Sequence, residues 1–282
     1  MAIRCIAVSI LATALPLLAQ PPATVEKGIK YYSLEKEAAL GKQLAAEMRQ
    51  RSTLIESTVI LEYVDRLAQK LAANMPNANA QFTFSVIAED PCTTVHEPVA
   101  LPGGYVFVPA ALFLAAQDGA EFAGMLAHAM VHIAERHGTR QATSGQAINY
   151  SGIPLIVTGW SGLCAEGLAV PRGFVTARRS YEREADALTI QIMARTGIDP
   201  HAMVRYTERV QPPPSSTPSP TLSTHLPRDE RIAIMISAIS NLPAIQYGAS
   251  ADGDFVAARE EARHFVPPHR PTPPSLRRKT PE

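Results

Sequence analysis

Two histidines four residues apart, in the run His128-Ala129-Met130-Val131-His132, constrain this chain more than any other feature. They sit in an apolar stretch that opens with Asp118 and Glu121, an N-cap residue followed three positions later by an acid. The pattern predicts a helix continuing to about His137, with Gly138 as its stop. Residues four apart on a helix share one face, one turn apart. Both imidazoles can therefore ligate a single metal ion. Taken alone such a pair is weak, because most HxxxH pairs are surface or packed histidines, so its meaning depends on a carboxylate supplied from elsewhere.

The segment Glu182-Arg183-Glu184-Ala185-Asp186 offers one. It falls in a predicted helix over 179–195 that Gly197 stops, and Glu182 and Asp186 share a face while Glu184 points elsewhere. One of the two carboxylates can complete a His-His-carboxylate zinc site with a fourth position left for water. The other can accept a hydrogen bond from the outer nitrogen of a ligand histidine. The spacing does not say which does which, and a solvated acidic helix is the plain alternative.

Composition sets the frame. The 282 residues are 46% hydrophobic and 18% charged with zero formal net charge, which suits one globular domain and provides no basic footprint for nucleic acid. Arg4 followed by the apolar run from Cys5 to Leu18 and small residues near Ala19 reads as a signal peptide over 1–19. The run is short for a membrane span, so the mature protein is expected to be exported with no stable span. Cys5 lies too early for a lipoprotein cysteine, and Cys92 and Cys164 would meet a compartment where a disulfide is allowed. The domain is expected over 20–265, followed by a disordered tail over 266–282 rich in proline and arginine.

Within the domain, Ser33 with Glu35 and Glu37 predicts a helix to about Arg51. Ile55, Val59, Tyr63, Leu67 and Leu71 predict a second helix over 54–73. Phe82–Ile87 reads as a strand. In 99–108, Pro102 and the Gly103-Gly104 pair make a bend, after which Tyr105–Val108 reads as a strand near a sheet edge. Such an edge can accept extended peptide as an added strand; an ordinary hairpin is the alternative. The uncharged stretch 141–165 reads as a lid or helical hairpin, Asp199-Pro200 as a helix start, 212–220 as an open loop, and 227–241 as a final helix with Ile232, Met235, Ile236 and Ile239 inward.

These motifs, in this order, resemble the HtpX and CAAX-prenyl-protease type of zinc metallopeptidases, specifically their soluble periplasmic branch. The resemblance rests on Ala100–Gly104 as an ALPGG strand, His128–His132 followed by Arg136-His137, Glu182–Asp186 as an ExEAD helix, and Gly197-Ile198-Asp199-Pro200. Residues 32–37, Ser223–Pro227 and Arg231-Ile232 also fit, so the likeness covers about 30–245. It implies an α+β, predominantly helical, zincin-like domain with a small antiparallel sheet whose edge strand flanks the zinc site. It implies zinc on His128, His132 and Glu182, with Asp186 behind a ligand histidine. His225 matches a loop histidine that in some members occupies or guards the open fourth position on the metal, and Arg231 matches a position near the site that can contact substrate or an oxyanion, with capping or salt bridging as its alternative. Gly103, Gly104, Tyr105 and Val106 would bind an unfolded or extended polypeptide substrate. His137 is common in the family without being a ligand and is expected to stabilise the helix end.

The chain departs from this pattern twice. Ala129 stands where the family has the glutamate of HExxH, the general base, and His96-Glu97-Pro98-Val99 stands where it usually has Asn-Ala-Phe. A positioned general base contributes about 10²–10⁴-fold, so the resemblance implies an exported envelope peptidase with impaired hydrolysis, or a non-catalytic zinc-containing module that binds polypeptide in a chaperone-like or regulatory role. Glu121 and Glu135 each lie seven residues from His128, too far along the helix to replace the base; Glu97, near the edge strand, is the least remote substitute.

Overall fold

The helix start at Ser33 forms as its sequence predicts. In the computed structural model, which describes residues 33–76, 81–88, 96–143, 172–211, 226–244, 246–247 and 252–266, α1 spans Leu34–Arg51 and the Ser33 hydroxyl accepts from the Lys36 N–H at 3.3 Å. The expectations for the signal peptide, Cys92, Cys164, the 212–220 loop, His225, the tail beyond Val266 and most of the 141–165 stretch lie outside the described residues.

The second helix is shorter than its periodicity suggests. Leu54–Ile55 form β1, and α2 spans Thr58–Ala72 with Tyr63, Leu67 and Leu71 buried. Val59, expected on the inner face, is exposed, and Ile60 and Val64 take the buried side instead. Ile55 faces the core from the strand, paired antiparallel with Val86 of β2 (Thr83–Ile87).

The sheet also corrects an expectation. It is mixed, not antiparallel, with strand order β1-β2-β4-β3, where β3 is Val99–Leu101 and β4 is Tyr105–Pro109. β4 pairs parallel with β2 and antiparallel with β3. Tyr105 and Val106 thus lie in an interior strand, their backbones committed to partners on both sides, and the edges of the sheet are β1 and β3. Pro102–Gly104 forms a tight turn between β3 and β4, with φ of 74° at Gly103 and 99° at Gly104, values that favour glycine.

After α3 (Ala110–Ala115), α4 runs from Gly119 to Ala134 with every residue buried. A helix apolar on all sides belongs in the core, and α4 packs against α6, α7 and β3. Its start follows the sequence: the Asp118 carboxylate accepts from the Glu121 N–H at 2.8 Å, and the Glu121 carboxylate accepts from the Gln117 N–H at 2.8 Å. Its end does not. Arg136 breaks the helix at φ 56°, and His137–Thr143 forms a separate α5 that contains Gly138.

Beyond it come α6 (Arg172–Arg195), α7 (His201–Val210), α8 (Arg228–Ser240) and α9 (Gly253–Ala262). Gly197, at φ 78°, follows the end of α6, and the Asp199 carboxylate caps α7 by accepting from the His201 N–H at 3.0 Å. In α8, Met235 is buried but Ile236 is exposed, against expectation. The unforeseen α9 closes the core: Phe255 joins Tyr63, Phe113 and Phe122 in an aromatic cluster whose tightest pair, Phe113–Phe122, has ring centroids 4.3 Å apart. Among the described residues no helix is long and apolar enough to cross a membrane.

Candidate metal centre

The fold brings His128 and His132 of α4 against Glu182 of α6, and one ligand atom from each lies within 4.8 Å of the others. The two histidine Nε2 atoms face each other at 3.0 Å. Glu182 Oε2 lies 3.3 Å from Nε2 of His128 and 3.8 Å from that of His132. Two imidazoles on one zinc, each at about 2.0–2.1 Å, would have nitrogens about 3.3 Å apart in a tetrahedral site. The three groups are buried, and the donor set, two imidazoles and a carboxylate, suits zinc. Of the two carboxylates that the spacing left open, Glu182 faces the inner nitrogens of both histidines and Asp186 the outer nitrogen of His128.

Each histidine is oriented from behind. Asp186 Oδ1 lies 3.1 Å from His128 Nδ1, which leaves Nε2 to the metal side. Arg231 holds Asp186 through two bonds, Nε to Oδ2 at 2.9 Å and Nη2 to Oδ1 at 2.7 Å. Burial works against the Asp186 carboxylate, but the guanidinium and His128 outweigh it and hold it below its ordinary range. His128 is pulled down by burial and carried up by Asp186 and Glu182 to about 9. Of the two roles weighed for Arg231, the geometry shows salt bridging: the buried guanidinium is engaged with Asp186 rather than with open space.

The support behind His132 was not foreseen. His137 Nδ1 lies 3.1 Å from His132 Nδ1, and His137 Nε2 lies 3.3 Å from Glu184 Oε2. With the His132 Nε2 lone pair turned to the metal, its Nδ1–H donates to His137, whose Nε2–H donates to Glu184. Burial lowers the His137 pKa, which favours the neutral ring this relay needs. Arg140 completes it, donating to Glu184 at 3.3 Å. Glu184 thus points away from the His-His-Glu cluster, as its helical phase requires, yet connects to it through His137. The signals were present, since His137 directly follows the motif and Glu184 lies inside the acidic run, but the break at Arg136 that turns His137 back was not. Replacing an outer partner typically costs 10–100-fold in metal affinity. We expect His137→Ala to weaken zinc binding by about that factor, measured by competition with a chromophoric chelator.

Ala129 is fully buried and has no group that can take a proton. Glu97, on the segment entering β3, is buried as well, with Oε1 3.4 Å from His128 Nε2 and 3.9 Å from Arg231 Nη1. A small cleft is lined by Ala100, Leu101 and Pro102 on one side and His132 and Ile133 on the other, so the edge strand and a ligand histidine border the same space. Gly103 and Gly104 shape the turn beside it; Tyr105 and Val106 run back into the sheet.

A helical domain with a small mixed sheet and a buried His-His-Glu cluster on two helices is the architecture of a zincin-like metallopeptidase. Residues 60–237 match the model of peptidase family M48, and the chain belongs to that family. It is 28% identical over 214 residues to the beta-barrel assembly-enhancing protease of Yersinia pestis, a match covering 71% of this chain and 43% of that protein. It is 27% identical over 245 residues to the putative beta-barrel assembly-enhancing protease of Vibrio cholerae, covering 82% and 50% respectively. The protein of that name from Escherichia coli K12 is 26% identical over 244 residues, covering 80% and 48%. The chain spans half or less of the length of these curated relatives.

Proposed function

We propose that this chain is an exported zinc metallopeptidase domain that acts on unfolded or extended polypeptide in the periplasm or envelope, with hydrolysis slowed by the loss of the base at Ala129. The observation that carries the reading is the convergence of His128, His132 and Glu182, each histidine braced by its own chain of outer partners. Such bracing is what a metal site needs and a chance histidine pair lacks. The apolar run before Ala19 supports export. The relatives' names, beta-barrel assembly-enhancing protease, support a proteolytic role linked to β-barrel assembly.

When bound, zinc would polarise the scissile carbonyl and acidify a water molecule. His128, His132 and Glu182 would hold the ion. Asp186 and His137 fix the outer nitrogen of each ligand ring, and Arg231 and Glu184 fix those two in turn. β3, at one margin of the sheet, borders the same cleft as His132. Ala129 favours a second reading, a zinc-containing module that binds polypeptide without cutting it.

Both readings are tested by hydrolysis of an unfolded polypeptide by the zinc-loaded protein, as it stands and as Ala129→Glu. The expected result is slow cleavage by the unaltered chain and an increase of about 10²-fold in the variant, the lower end of what a positioned base supplies. Equal rates would refute the impairment; no cleavage by either form would leave the binding module.

A further inference from the structure

We propose that Glu97 acts as the proton acceptor in place of the glutamate missing at Ala129. The inference rests on the metallopeptidase reading above and names the residue that sustains its remaining activity. Glu97 comes from the strand side of the site, not from α4. His96 before it adopts φ 51°, a left-handed conformation uncommon outside glycine. Pro98 after it disfavours helical backbone at Glu97. Together these two constraints steer Glu97 inward, where the residue is 7% exposed.

Its Oε1 approaches the Nε2 of His128, the metal-facing nitrogen, at 3.4 Å. It stands beside the His128–His132–Glu182 set without being part of it. Among the described residues this buried oxygen has no hydrogen-bond partner. A buried carboxylate oxygen with charged neighbours but no hydrogen bond is costly, and such a group in a native fold calls for an explanation such as a catalytic role. The other carboxylates facing the histidines are engaged: Glu182 with His128, Asp186 with Arg231, and Glu184 with His137 and Arg140.

The chemistry balances within the site. As the oxygen of the attacking water bonds to the scissile carbonyl carbon, one of its protons passes to Glu97 Oε1. As the C–N bond breaks, Glu97 returns that proton to the departing amine nitrogen, and the carboxylate is free again. Arg231 Nη1, 3.9 Å away, offsets part of the charge of the ionised form.

The test compares the unaltered protein, Glu97→Gln, Ala129→Glu and the double variant, each with zinc titration and hydrolysis of an unfolded polypeptide. The expected results are a loss of about 10²-fold in hydrolysis for Glu97→Gln, zinc affinity unmoved in that variant, and rescue of hydrolysis when Ala129→Glu is added to it. A Glu97→Gln protein that cleaves like the unaltered chain overturns the proposal. So does a loss that Ala129→Glu does not rescue, which would mark a structural role. A steep fall in zinc affinity would make Glu97 a ligand instead. Cleavage by Ala129→Glu but none by the unaltered chain overturns the role of Glu97 and leaves the metallopeptidase reading standing; no cleavage by either overturns both.

Discussion

Arg231→Met is expected to lower the unfolding free energy of the metal-free protein by about 3–5 kcal/mol, the usual consequence of removing one partner of a buried ion pair. The reason lies in what is left behind. Asp186 is 0% exposed and depends on the guanidinium for two of its bonds. Methionine fills similar space but leaves that carboxylate without a counter-charge in the interior, where the attraction of His128 alone must offset its desolvation. Arg231→Lys keeps the charge but not the planar fork that meets both carboxylate oxygens, so its loss should fall between the two. Urea unfolding at neutral pH measures the difference. Zinc affinity should fall with it, because Asp186 would no longer hold the His128 ring at a fixed angle. Equal stability of Arg231→Met and the unaltered chain would mean that the Arg231–Asp186 pair contributes nothing beyond packing.

That ion pair also marks the boundary of what the sequence could reveal. Features governed by neighbours along the chain were legible: the Ser33 and Asp118 caps, Gly197 after α6, and the pairing of faces that puts His128 with His132 and Glu182 with Asp186. Those depend on helical phase and local hydrogen bonds. That Glu182 faces the inner nitrogens of the histidines and Asp186 the outer nitrogen of His128 depends instead on how α4 and α6 cross, which no spacing encodes. β1 escaped notice because two residues, Leu54 and Ile55, continue the apolar pattern of α2 and become a strand only through pairing with β2. β4 was expected near an edge because a proline and two glycines precede it; its interior place comes from β2 joining it in parallel across a long stretch of chain. The helix break at Arg136 had no signal, since arginine is an ordinary helix former and its positive φ is imposed by surroundings that include the ion pair with Glu37 of α1.

The two substitutions that the chain makes at its site are better understood together than apart. Ala129 gives α4 no carboxylate next to His128, and the segment 96–98 brings Glu97 to that nitrogen from the strand side, between a residue at positive φ and a proline. A helix places its side chains to within a rotamer, whereas a carboxylate on an entering segment depends on whatever fixes that segment.

What fixes it is the turn that follows β3, and Gly104→Ala is expected to show this with a loss of about 2–5 kcal/mol, combining the strain of a non-glycine residue at positive φ with overpacking. A Cβ at Gly104 would lie 1.9 Å from the Gln81 carbonyl oxygen, at a φ of 99°. Neither atom can yield cheaply, because residue 81 leads directly into β2, which pairs with β4 along its whole length. Gly41→Ala provides the contrast. Gly41 lies inside α1, where alanine ordinarily gains about 1 kcal/mol, but here its Cβ would meet the Pro102 carbonyl oxygen at 1.7 Å. Moving that carbonyl means moving the turn, so the propensity gain should be overturned and the net effect should be destabilising. Thermal unfolding of both variants tests the stability term. Their hydrolysis rates test the functional one, since displacement of the turn carries β3, and Glu97 just ahead of it, away from His128. A Gly41→Ala protein more stable than the unaltered chain would show that α1 can withdraw from the turn and that the strand side of the site is held by the sheet alone.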